Sequence, residues 1–380
     1  VRTGCEVTNV NSEEKIIEYN NVDVQASEKY KYDKLIIATG ASPVFPPIPG
    51  IELENIVTLR NVKDADRIKD LANIDNINNV TIVGGGLIGL EMAESFRRLD
   101  MDVTIIEKLS QVLSNFNEDM AQIIGEHIKE QGVNLLLNDG VKEFSGKGQV
   151  EVVHTEEDEE IKTDLVLISI GVRPKVDLAK GAGIELGPTG AISVNDKMET
   201  SKSNIYAAGD CAESKDLITG KSAWVPLGST ANKQGRTAGG NAAGGSYKHK
   251  GILKTGITKI FEMTAATTGL SKEEAVENGY EVEVTKIDAA AHAGYYPGET
   301  EIHIKGVFAK SSAQILGAEI IGKAGVDKRV DVLNTAIYSG LTANDLFQVD
   351  LAYAPPYSTS KDPVAVLGMV TEKKLKIRKW

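Results

Sequence analysis

Cysteine is nearly absent: Cys5 and Cys211 are the only two in 380 residues. Two thiols so far apart leave no disulfide framework, no Cys-x-x-Cys pair and no zinc spacing, so no metal site is expected. Positive charge is also in deficit, with 42 Lys and Arg against 54 Asp and Glu for a net charge of -12. That argues against a nucleic-acid backbone or an anionic membrane as the main partner, and leaves only a local basic pocket for an anionic ligand. No apolar run approaches the ~18 residues of a membrane span, and the opening Val1-Arg2-Thr3-Gly4-Cys5 has no apolar signal core. A cytoplasmic protein is expected. Proline numbers 11 against 37 glycines, which with 41% hydrophobic and 25% charged residues excludes a low-complexity or disordered chain. Two or three domains of about 100–200 residues each are expected at this length.

The chain opens on alternating apolar and polar residues over 6–10 and 15–19, which predicts a short antiparallel meander. A buried strand over 34–40 follows, and the proline-rich stretch 43–50 cannot continue a sheet, which marks a domain crossover. From Asn79 the pattern is a βαβ unit: a strand over 80–83, a glycine turn, a helix through Leu99 and a strand over 103–107. A helix over 118–131 and a strand over 134–137 continue a doubly wound plan. The acidic run Glu156-Glu157-Asp158-Glu159-Glu160 reads as a solvated hairpin turn. A strand over 164–170 ends at a second crossover near Gly171, and Ile205-Tyr206-Ala207-Ala208-Gly209-Asp210 is another buried strand with a small-residue exit. After the glycine-rich run 239–245, about 130 residues mix strands and helices without a glycine-rich turn, as in a separate α+β domain.

Gly84-x-Gly86-x-x-Gly89 follows a strand and opens a helix, the context that makes this pattern specific for a dinucleotide. The first glycine permits the turn, the second lets backbone N–H groups reach a pyrophosphate, and the third allows helix and strand to pack closely. Glu107 stands about twenty residues on, where a carboxylate bonds the adenosine ribose; it favours NADH over NADPH, although Lys108 beside it can accommodate part of a 2′-phosphate. The Ala38-Thr39-Gly40 strand exit, paired with Gly209-Asp210, points to a second nucleotide, FAD, whose ribityl or ribose hydroxyls a carboxylate behind a glycine can approach.

This order of motifs resembles the FAD-dependent pyridine nucleotide-disulfide oxidoreductases, over nearly the whole chain. Within that class, Ala291-His292-Ala293-Gly294-Tyr295-Tyr296-Pro297-Gly298 and Ala352-Tyr353-Ala354-Pro355-Pro356-Tyr357-Ser358 with Lys361 are similar to coenzyme A-disulfide reductases and coenzyme A-dependent sulfur reductases. Trp224-Val225-Pro226-Leu227 through Arg236 fits the sulfur-reductase branch best. The resemblance implies two nested Rossmann-like nucleotide-binding domains, for FAD and NAD(P), and a C-terminal α+β dimerisation domain. The expected boundaries are 1–50 and 173–250 for FAD, 51–172 for NAD(P) and 251–380 for dimerisation. Gly84, Gly86, Leu87, Ile88, Gly89, Glu107 and Lys108 are then expected to hold the nicotinamide dinucleotide, with Glu91 and Gly171 near its nicotinamide half. Ala38, Thr39, Gly40, Gly209, Asp210 and Leu227 face the flavin, Tyr353 lies beside it, and Asn232 and Lys361 take the coenzyme A substrate. Tyr353, Tyr357 and Tyr296 are the catalytic candidates, as donors to a leaving thiolate, and His292 reads as a loop histidine.

The implied activity is reduction of coenzyme A disulfide, persulfide or polysulfide by NAD(P)H in a homodimer. An NADH oxidase or peroxidase, or a non-catalytic dinucleotide-binding fragment, is the alternative. The family pattern also implies an upstream Gly-x-Gly-x-x-Gly unit and a redox cysteine, and neither Cys5 nor Cys211 lies in that motif. The sequence is therefore read as lacking its beginning, and is expected to bind NADH, hold FAD weakly and show no thiol-dependent reductase activity until that segment is restored.

Overall fold

The computed structural model describes residues 1–22, 26–74 and 77–376. Val1–Ser42 and Val172–Ile252 form one compact unit; Pro43–Gly171 and the segment from Leu253 onward form the other. The last residues of the expected dimerisation segment, 377–380, lie outside those described.

In the first unit, Cys5–Asn11 pairs antiparallel with Ile16–Asn21, which pairs in turn with Ala26–Lys31. All six residues of this third strand are exposed, so it carries no apolar alternation and is missing from the meander the sequence predicts. The buried strand expected over 34–40 is shorter and less buried: it spans Leu35–Ile37, and Ile36 is 39% exposed. It belongs to a two-stranded sheet whose other member, Ile205–Ala207, is buried at all three positions, so the exposure is confined to the Leu35–Ile37 side of the pair. The two strands run parallel, with Leu35 opposite Ile205 and Ile37 opposite Ala207. Val10, Ile37, Val176, Ala179, Ile192, Ile205 and Cys211 form the core beneath them, and the helix Gly228–Ala242 packs against the pair.

The second unit is built on a five-stranded parallel sheet in the order Ile56–Val57, Leu165–Ile168, Asn79–Val83, Asp102–Glu107, Asn134–Leu137. Its central strands are almost wholly apolar because both faces are covered. Ile82, Ile105, Leu165 and Leu167 face a core shared with Leu90 and Phe96 of the helix Leu87–Arg97 and Ile124 of Glu118–Glu130. Val83, Ile106, Val166 and Ile168 face Phe144 and Val153 of a small antiparallel sheet, Val141–Ser145, Val152–Thr155 and Glu160–Lys162. The acidic run closes this sheet as a hairpin. The helix predicted to reach Leu99 ends at Arg97, two residues before Leu99, where the chain turns into the next strand.

The C-terminal part of the same unit is an antiparallel sheet in the order Gly256–Ile260, Met263–Gly269, Ile315–Gly322, Glu301–Ala309, Val282–Ala290, with the helices Val326–Tyr338 and Pro363–Lys374 against it. Ile260, Phe261, Met263 and Ile321 enter the same core as Phe96 and Ile124, so the two sheets share one apolar centre. Among the described residues, no helix is long and apolar enough to cross a membrane.

Candidate active site

The glycine turn is held open by collisions that any side chain would cause. A Cβ on Gly84, whose φ is +107°, would stand 2.7 Å from the Ser169 carbonyl oxygen, and one on Gly89 would stand 2.2 Å from that of Gly84. Ser169 Oγ donates to the Val83 and Gly84 carbonyls at 3.0 Å and locks the turn onto the sheet. Gly86 differs: a Cβ there would meet nothing within 4 Å. It is the N-cap of the helix Leu87–Arg97 and offers no side-chain cap, so the first N–H groups, Leu87 and Ile88 among them, receive no bond from the capping residue. Uncapped donors at a positive helix end beside an empty volume fit a pyrophosphate.

Glu107 ends the neighbouring parallel strand and spans the turn, its Oε2 accepting from Gly85 N at 2.6 Å and its Oε1 from Leu109 N at 2.9 Å. Each oxygen keeps a lone pair, so the carboxylate can still accept two ribose hydroxyls. Lys108 is not free beside it, because its ammonium meets both oxygens of Glu156 at 2.8 and 3.0 Å. Glu91 is exposed on the helix and accepts from Thr258 Oγ1 at 2.8 Å. Gly171 is exposed beyond the strand Leu165–Ile168, with φ +107° and no neighbour within 4 Å of a Cβ.

In the other unit, the parallel register sets Ala38-Thr39-Gly40 beside Ala208-Gly209-Asp210 at the carboxyl ends of two strands, the position where open α/β sheets take ligands. Ala208 N donates to the Ile37 carbonyl at 3.0 Å. Gly40 and Gly209 both have positive φ, +72° and +80°. Thr39 Oγ1 donates to the Lys175 carbonyl at 2.6 Å, which leaves its oxygen as an acceptor only. Leu227 is the N-cap of Gly228–Ala242 and supplies no side-chain bond, so this helix too begins with open donors. Asn232 is exposed one turn further on. These features fit flavin hydroxyls and ring edges. Cys211 lies in the core, its thiol directed to the Ile37 and Ala208 carbonyls at 3.5 and 3.4 Å, while Cys5 is half-buried at the start of the meander.

The tyrosine candidates gather on one loop surface of the C-terminal sheet, but the pair that meets is Tyr295 with Tyr353, hydroxyl to hydroxyl at 3.2 Å. That bond pushes the Tyr295 phenol above its ordinary pKa. Tyr296 instead sets its ring edge-on to His292, 5.8 Å between centroids. His292 is buried and its Nδ1 contacts the Ala293 carbonyl at 3.2 Å. Tyr357 and Lys361 are exposed on the same loop.

The family description "pyridine nucleotide-disulphide oxidoreductase" matches residues 1–235, and the dimerisation domain of that family matches 256–363. The chain belongs to the pyridine nucleotide-disulphide oxidoreductases. It is 40% identical over 362 residues to the CoA-dependent NAD(P)H sulfur oxidoreductase of Pyrococcus abyssi, covering 94% of this chain and 80% of the other. The reduced CoADR-RHD of Bacillus anthracis superposes with a TM-score of 0.95 at 42% identity, covering 98% of this chain and 67% of that one. A NAD-dependent persulfide reductase from A. fulgidus does so at 0.94 and 37%, covering 97% and 68%.

In this pyridine nucleotide-disulphide oxidoreductase, several side chains to which the sequence assigned no role hold the site in place. Gln234 is fully buried, accepts from Gly209 N at 2.8 Å and donates to Glu213 O and Ser214 Oγ, so it fixes the turn that carries Asp210. Glu94 is buried on the glycine-turn helix and accepts from Phe261 N at 2.7 Å. Arg329 donates to the Ala291 carbonyl, to Ser358 Oγ and to Asp362, and so joins both tyrosine loops. Gln234 lies in the 224–236 segment that carried the resemblance, while Glu94 and Arg329 fall in no quoted motif.

Proposed function

We propose that the chain is an FAD-dependent NAD(P)H oxidoreductase that reduces coenzyme A disulfide or a coenzyme A persulfide or polysulfide, as a homodimer. The observation that carries this reading is the open, uncapped helix end at Gly86, crossed by the Glu107 carboxylate, in a chain so similar to reductases named for CoA and persulfide. When bound, the nicotinamide nucleotide would supply a hydride, and the flavin would supply the two-electron relay between it and the redox cysteine that the family pattern implies.

The protein's own groups bind and orient. The N–H groups from Gly86 to Gly89 take the dinucleotide phosphates, and Glu107 accepts from the ribose. Thr39, Asp210 and the helix end after Leu227 take the flavin. Tyr353 meets Tyr295 hydroxyl to hydroxyl, the bond holds the Tyr295 phenol above its ordinary pKa and so protonated, and a phenol pair of this kind can supply a proton to a departing thiolate. Lys361 offers an exposed point charge for a coenzyme A phosphate. Neither thiol of the chain is assigned the redox role.

Titration with NADH and with coenzyme A, followed by fluorescence, tests the reading. Saturable NADH binding, and coenzyme A binding that weakens in Lys361→Ala, are expected; a protein indifferent to both ligands would refute it.

A further inference from the structure

The acidic hairpin is a solvated turn in sequence terms, yet one of its residues is aimed. Glu156 N donates to the Gly140 carbonyl at 2.7 Å and Glu157 N to the buried Asp139 carboxylate at 3.1 Å. Asp139 N in turn donates to the Glu107 carbonyl at 3.2 Å, and Asn138 N to that of Leu109 at 2.9 Å. The hairpin is thus sewn to the end of the strand that carries Glu107. A Cβ on Gly140 would stand 2.7 Å from the Glu156 carboxyl carbon, so a glycine there is what lets the carboxylate lie flat. From that seat Glu156 takes the Lys108 ammonium on both oxygens. Two other members of the run turn elsewhere, Asp158 to Lys142 and Glu160 towards His154.

We propose that Glu156 is a specificity-determining residue for the nicotinamide nucleotide, excluding NADPH by holding Lys108. This rests on the reading of Gly84 to Gly89 as the dinucleotide site. NADH and NADPH differ at one place, the 2′-phosphate of the adenosine ribose, which is the group Glu107 is proposed to face. A 2′-phosphate there meets the Glu107 charge and needs a cation. Lys108 is adjacent in sequence, but its charge is already neutralised by a carboxylate carried on a hairpin whose backbone is sewn to the same strand end. NADPH must therefore break the Lys108–Glu156 pair and leave Glu156 uncompensated beside its own phosphate, whereas NADH disturbs neither. Both partners are substantially exposed, so the preference contributed is modest and falls with salt.

The experiment compares NADH and NADPH dissociation constants, by nucleotide fluorescence at low ionic strength, in the wild type, Glu156→Gln, Lys108→Met and the double variant. Glu156→Gln should tighten NADPH binding about threefold and leave NADH unchanged. Adding Lys108→Met should abolish that gain. An unchanged NADPH-to-NADH ratio in a Glu156→Gln protein that still binds NADH overturns the assignment. So does a gain that persists without Lys108, which would make Glu156 a repelling charge rather than a holder of the lysine. A wild type that binds neither nucleotide removes the dinucleotide site itself and this assignment with it.

Discussion

Arg329 meets Asp362 at 3.0 Å with its side chain wholly withdrawn from solvent. Burial alone would push the Asp362 carboxyl up, but the Ser358 hydroxyl, Val364 N and the Arg329 guanidinium more than offset it and hold the group below its ordinary 3.8. The pair ties the helix Val326–Tyr338 to the start of Pro363–Lys374, and through Ala291 and Ser358 to both tyrosine loops.

Removing one partner of such a pair strands the other charge in the interior. Arg329→Ala is expected to cost about 3–5 kcal/mol of stability, read by urea unfolding, and to weaken coenzyme A binding with it. Because the folded pKa of Asp362 is depressed, its contribution is full at neutral pH and is lost as pH falls through that value. A variant with unchanged unfolding midpoint would show that the loops are held by something else.

Gly86 and Gly89 separate binding from folding. Gly86→Ala adds a methyl to empty space, so the thermal midpoint should move little while NADH affinity falls roughly tenfold. Gly89→Ala drives a methyl into the Gly84 carbonyl and should lower stability itself, by about 1–3 kcal/mol. Calorimetry and nucleotide titration on both proteins check the contrast; equal loss of NADH affinity without any loss of stability in Gly89→Ala would contradict it.

Glu319 gives the fold a pH dependence. It sits buried on the strand Ile315–Gly322, where burial pushes its carboxyl from 4.5 up to about 7, although Asn117 N donates to both its oxygens. Between those values the folded chain holds a proton that the unfolded chain has released. Stability should therefore fall as pH rises across that window, by up to about 3 kcal/mol, and level off above it. Glu319→Gln should flatten the slope, measured by unfolding at about pH 5 and about pH 8. A wild type with no slope there would refute the assignment.

The proposed dimer has a test on the tyrosines. Tyr295 and Tyr357 are 78% and 72% exposed in the single chain, more than Tyr30 at 51% in the other unit. If the family's dimerisation domain closes over the loop surface, nitration followed by mass spectrometry should modify Tyr30 faster than Tyr295 and Tyr357. The reverse order, or a monomer by light scattering, counts against a dimer built there.

The sequence by itself determined the features whose physics is local. A glycine turn between a strand and a helix, and an acid at the end of the next strand, depend on backbone conformation within one βαβ unit and can be seen in Gly84 to Glu107. The small-residue exits at Thr39-Gly40 and Gly209-Asp210 are legible for the same reason. Only the tertiary structure decided which partners those groups find. Glu156 and Lys108 are 48 residues apart, and Tyr295 and Tyr353 are 58 apart. Neither distance leaves a trace in periodicity. Arg329 and Glu94 look like ordinary polar helix residues, and Gln234, though inside a segment that carried the resemblance, gave no sign of its role, since what defines each is the carbonyl, amide or carboxylate that the distant chain brings to it. The exposed strand Ala26–Lys31 is the mirror case, because its backbone pairs with Ile16–Asn21 while its side chains bury nothing. Burial patterns record where a side chain goes, and hydrogen-bond partners across the fold are settled only when the chain has closed on itself.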